Sequence, residues 1–83
     1  MKTTRYFDEQ VRRKRPYLQL EWIAAVLRAP QARVIQDDGR IRVWGPVRLE
    51  GESADRMLRV VVLEDGETVH NAFLDRDFGK DGR

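Results

Sequence analysis

The sequence predicts an α+β fold: two N-terminal helices packed on an antiparallel β-meander of about four strands. Three observations predict it. Residues 17–28 carry apolar side chains at helical spacing, residues 33–74 change to the period of strands, and Asp38-Gly39 and Asp65-Gly66 punctuate that second region as turns. No internal repeat or low-complexity stretch divides the chain. Residues 1–83 therefore read as one domain, near the lower end of what a single core can hold, with 79–83 as a frayed tail.

The first helix is expected over residues 4–15. Thr3 or Thr4 can cap it, Asp8 and Glu9 stand near its start, and the cations Arg12, Arg13, Lys14 and Arg15 stand at its end, matching the helix dipole. Phe7 and Val11, four residues apart, give it one narrow apolar stripe. Pro16 ends it and is well suited to open the next helix over 17–28. There Leu18, Leu20, Trp22, Ile23, Val26 and Leu27 span an arc of about 200°, opposite Glu21 and Arg28. So wide a face calls for a sheet beneath it.

Strands are expected over residues 33–36 and 40–44, with Ile41 and Val43 on one face and Arg40, Arg42 and Trp44 on the other. Gly45-Pro46 should interrupt as a bulge or an edge, after which Val47 and Leu49 can extend the strand. Residues 57–63 are apolar except for Arg59, as in a central strand. Residues 67–74 return, and simple alternation places Thr68, His70 and Ala72 on one face and Val69, Asn71 and Phe73 on the other.

Composition narrows the function classes. There is no cysteine, so disulfides and thiolate metal sites are excluded. The longest apolar stretch, residues 23–27, is far too short to span a bilayer, and the first ten residues lack a secretory apolar run. A cytoplasmic location is the expectation, with no membrane partner. The 16 Lys and Arg against 14 Asp and Glu leave a net charge of only +2, so the placement of charge matters more than its sum. No glycine-rich phosphate loop follows a strand, and the single histidine has no metal-ligand pattern around it, so neither a cofactor nor a metal is expected.

Three groups of residues carry the functional expectations. Arg12, Arg13, Lys14 and Arg15 read either as the solvated end of a helix or as a grip on phosphates, including RNA. His70 is the one side chain whose ordinary titration lies near neutrality. It reads as a hydrogen-bonded sheet histidine or as a general acid, with Arg42, Arg59 and Arg76 around a phosphate and Asp75 orienting the ring. Trp44, with Val61 and Leu63, lies on the sheet face away from the helices and reads as a partner interface for a homodimer or a small protein, or as a base-stacking platform.

The runs RKRPYL, LEWIAAVLRAP, DGRIRVWG and LRVVVLEDGETVHNAFLD, within residues 6–78, resemble a family of short uncharacterised bacterial proteins. That family is distantly similar to the BrnT-like branch of the RelE/ParE toxin superfamily. The resemblance implies, for an active toxin, messenger cleavage held in check by a partner antitoxin. No toxin active-site motif maps residue by residue onto this chain. Two functions are therefore carried forward: a non-catalytic binding module that self-associates or docks a partner through the open sheet face, and a metal-independent endoribonuclease.

Overall fold

The computed structural model describes residues 1–79; most of the expected frayed tail lies outside the described residues. The first helix, α1 (residues 5–14), begins where Thr4 Oγ1 accepts the Phe7 N–H at 3.1 Å, the contact of an N-cap. It runs as a π-helical turn, Phe7–Val11, in which the Arg12 N–H reaches the Phe7 carbonyl, followed by an α-helical turn, Arg12–Lys14. Arg15 leaves the helix at φ −127° and ψ 70°, because the ring of Pro16 excludes the α conformation from the residue before it.

The second helix, α2, spans Leu20–Arg28 and is shorter than expected at its start. Pro16 closes α1 without opening α2. Residues 16–17 form a turn closed by the Leu18 N–H on the Arg15 carbonyl at 3.1 Å, and Gln19 is extended. The apolar face narrows accordingly. Ile23 and Val26 are buried, Trp22 and Leu27 are partly buried, and Leu20 is 40% exposed.

Four strands follow, β1 (Ala32–Ile35), β2 (Ile41–Val47), β3 (Arg56–Val62) and β4 (Val69–Leu74), paired antiparallel in chain order. The meander and its class are those the sequence predicts. Gly45 and Pro46 sit inside β2, opposite Leu58 and Met57. Pro46 is tolerated because β1 ends opposite Trp44. The Trp44 carbonyl accepts from Gln31 on the β1 side, and backbone alternation turns the donor-less nitrogen of Pro46 to that same, uncovered side.

The core lies between α1, α2 and one face of the sheet. Register puts Ile41, Val43 and Val47 of β2 beside Leu58, Val60 and Val62 of β3, with Val69 and Ala72 of β4 completing the layer. Phe7, Val11, Ile23 and Val26 cover it from the helices, and Phe7, Val11 and Ile23 are wholly buried. Gly45 lets α2 approach closely: a Cβ there would stand 3.0 Å from Val26 Cγ2. Gly45→Val should therefore cost about 1–3 kcal/mol through overpacking, read from urea unfolding, with Val26→Ala restoring part of the loss.

β4 departs from simple alternation. Val62 pairs with Val69 while Val61 pairs with Asn71, so His70 is an extra residue on β4 and forms a bulge. The bulge reverses the phase of the strand. Val69 and Ala72 both face the core, and His70 and Asn71 line a hollow on the opposite face with Phe73. The expected partition, with Ala72 beside His70 and Val69 beside Asn71, is thereby corrected. Asn71 Oδ1 accepts the Ala72 N–H at 2.9 Å, holding the backbone at the bulge.

Residues 2–4 close the outer edge of β4. Val69 N–H donates to the Lys2 carbonyl and Thr4 N–H to the Val69 carbonyl, each at 2.9 Å. This short parallel pairing protects an otherwise open edge and brings the start of α1 against His70. In the turn that leads into β4, the Asp65 carboxylate accepts from the Thr68 hydroxyl and from the Thr68 and Glu67 N–H groups. Those bonds, the hydroxyl first, lower its pKa to about 2.

Candidate functional site

The sheet face away from the helices is occupied at one end by the chain itself. Trp44 is 1% exposed. Its indole N–H donates to Asp75 Oδ2 at 2.8 Å, and the Phe78 ring lies against it at 5.5 Å between centroids. The Arg59 guanidinium stacks between the Trp44 and Phe73 rings, at 5.6 and 5.1 Å from their centres, with Nη1 at 3.8 Å from Asp75 Oδ2. The turn at residues 76–79 thus folds back over the tryptophan that sequence placed on an open surface.

Beside this cluster the same face is concave. A hollow of about 300 Å³ has Val61 in its lining and the side chains of Arg40, Arg42 and Arg59 around it. Tyr6, Gln36, His70, Asn71 and Phe73 complete the lining. No carboxylate is among these residues. Each cation is held from behind. Arg42 Nε donates to Gln36 Oε1 at 2.9 Å, Arg59 is clasped by its rings and Asp75, and Arg40 stands 4.0 Å from Asp38. The site is a cationic cup with aromatic walls.

His70 is fixed by the N-terminal segment. Its Nδ1 lies 3.0 Å from the Thr4 hydroxyl, and its ring stacks on Tyr6 at 4.9 Å between centroids. Desolvation, and then the positive charge of Arg40, pushes its pKa below the ordinary histidine value. The ring is therefore neutral at pH 7, a poor proton donor in the free protein.

The expected catalytic set assembles only in part. Arg42, Arg59 and His70 meet in the hollow. Arg76 is exposed in the turn after β4 and is not among the lining residues. Asp75 is engaged by Trp44 and Arg59, and the group that orients His70 is Thr4. Of the expected interface residues, Val61 lines the cup and Trp44 is covered. Leu63 lies just beyond β3, in a different hollow with Asp38, Glu64 and Asp65.

The basic run divides as well. Arg12, Arg13 and Lys14 are exposed on α1, whereas Arg15 turns onto the sheet, reaching Asn71 Oδ1 at 3.4 Å and stacking on the Phe73 ring at 5.6 Å. Both of those partners line the cup, whereas Arg15 itself lines a separate hollow with Asp8, Arg12, Arg13, Pro16 and Leu18.

Sequence reasoning missed Tyr6, Gln36, Arg40 and Asn71 as members of the site. Tyr6 gave no local signal, whereas alternation had already put Arg40 on the same face as Arg42 and Trp44. Asn71 could have been suspected from the pattern VHNAFL, where the core residues Val69 and Ala72 lie three apart. Among the described residues no group of three or more His, Cys, Asp and Glu is placed to hold a metal, and no helix is long and apolar enough to cross a membrane. No family model, curated protein or solved structure matches this chain.

Proposed function

We propose that the protein is a non-catalytic binding module that docks an anionic partner through the cup on the open face of its sheet. The observation that carries the reading is the convergence of Arg40, Arg42, Arg59 and His70 on one hollow lined by no carboxylate. Three guanidinium groups facing a hollow that no carboxylate lines raise the local concentration of anions and favour partners with acidic or phosphorylated groups. Self-association through this face is less favourable. A two-fold axis there would set each copy's arginines against those of the other, a like-charge arrangement costly at an interface.

The second reading, the toxin-like endoribonuclease, draws support from His70 sharing the hollow with Arg42 and Arg59. Against it, a neutral imidazole serves badly as the acid that protonates a leaving oxygen. Retention on a heparin matrix tests the docking reading. Replacing Arg40 and Arg42 together by alanine should lower the eluting salt concentration more than replacing Arg12 and Arg13, although each pair removes the same charge. Equal displacement by the two double variants would reduce the effect to net charge and end the assignment. RNA incubated with the protein at neutral pH should remain intact; cleavage abolished by His70→Ala would instead establish the nuclease.

A further inference from the structure

The geometry points to a phosphomonoester site in the cup, in which His70 takes up a proton as the doubly charged group binds. This rests on the docking reading and makes it chemically specific. The hollow's 300 Å³ lies at the low end for ligand cavities, room for a phosphate and the few atoms that carry it. Its donors suit that group. Guanidinium N–H groups match the oxygens of a phosphate in planar pairs, and here Arg42 and Arg59 are already positioned by Gln36 and by the Trp44–Phe73 clasp.

The proton follows from what faces His70. The start of α1 presents the Tyr6 ring and the Thr4 hydroxyl, the β1–β2 turn presents Arg40, and β2 and β3 present Arg42 and Arg59. Two carboxylates stand near these cations, Asp38 against Arg40 and Asp75 against Arg59, and neither is in the lining. In the empty cup a protonated imidazole would be a further cation among arginines, and its affinity for protons is lowered first by desolvation and then by Arg40. A bound dianion reverses the balance. It neutralises the arginines and leaves a negative oxygen for an imidazolium to meet. Thr4 stands against Nδ1, so Nε2 is the ring nitrogen left to meet the anion once the imidazole is protonated. A phosphodiester carries a single charge and offers less of this compensation, so the cup discriminates monoester from diester.

The test is the titration of the His70 imidazole by nuclear magnetic resonance between about pH 5 and pH 8, the range in which histidine changes charge. The probes are sulfate, which keeps both charges over that range, methyl phosphate, and dimethyl phosphate. Saturating sulfate or methyl phosphate should raise the His70 midpoint by about one pH unit, which by linkage means about tenfold tighter sulfate binding at the acid end than at the alkaline end. Dimethyl phosphate should move the midpoint far less. His70→Asn should bind sulfate without the pH dependence of the parent, and Arg42→Ala should lose the binding.

A midpoint that stays put with sulfate present, or equal effects from methyl and dimethyl phosphate, would overturn the inference. If heparin retention still depends on Arg40 and Arg42 in that case, the docking reading survives it. If the two double variants are displaced equally as well, both fall. The native protein's own histidine signal carries the decision, so a failure of His70→Asn to fold would not obscure it.

Discussion

Asp75→Ala should remove about 3–5 kcal/mol of folding stability, the usual cost of deleting one partner of a buried charge pair. The Asp75 side chain is 5% exposed and that of Arg59 18%, so solvent screens their attraction little. The same carboxylate accepts the Trp44 N–H at 2.8 Å. Its deletion removes a buried acceptor of the indole N–H and a nearby negative charge beside the guanidinium, and each loss alone is unfavourable. For a domain whose whole stability is of the order of 5–15 kcal/mol, this is a large share. Asp75→Asn should cost less, because the amide oxygen can still accept from the indole while the charge is gone. Guanidinium unfolding followed by tryptophan fluorescence reads both variants. An Asp75→Ala midpoint close to that of the parent would show that the residue 75–79 turn adds nothing to the fold.

Phe7→Ala should be comparably severe, about 3–5 kcal/mol, through the cavity left when a fully buried ring is truncated. The consequence reaches the cup. Phe7 and Val11 are the buried residues of the first helix, so they supply the apolar anchorage that holds it on the sheet. Loosening that helix also loosens Tyr6 and Thr4, the two groups that hold and desolvate the His70 ring. The His70 midpoint should then climb back toward its ordinary value, since both its burial and its fixed place beside Arg40 are weakened. Phe7→Leu, which keeps most of the volume, should cost less than about 1.5 kcal/mol and leave the midpoint nearly unchanged. A destabilised Phe7→Ala protein with an unmoved His70 titration would separate the helix from the site.

These two results bear on the same structural point: the functional face is built as much by the chain's ends as by its sheet. The N-terminal segment supplies Tyr6 and Thr4, and the residues after β4 supply the Asp75 and Phe78 contacts that hold Trp44 and Arg59. Arg15 ties the end of the first helix to Asn71 and Phe73. Charge that looks scattered along the sequence becomes one cationic cup.

What the sequence by itself determined is the architecture. Helical spacing from Trp22 to Leu27, the alternation through Ile41 and Val43, the apolar run through Val60 and Val62, and glycine at both Asp-Gly turns are local properties. They dictate secondary structure and pairing order because burial and backbone geometry act over a few residues. The gathering of Arg42, Arg59 and His70 was legible to the same extent, since strand alternation and neighbouring strands bring such residues near one another.

Tertiary structure decided the rest. The bulge at His70 reversed the phase of β4, because burying Val69 and Ala72 together under the helices is favoured over regular alternation. Trp44 was closed over by Phe78 and bound to Asp75, since a large ring with one polar N–H gains most where its apolar body is covered and its donor satisfied. Tyr6 joined the site by packing against His70 from the far end of the chain. Residues so far apart in sequence meet only through the fold, and no local periodicity records that meeting.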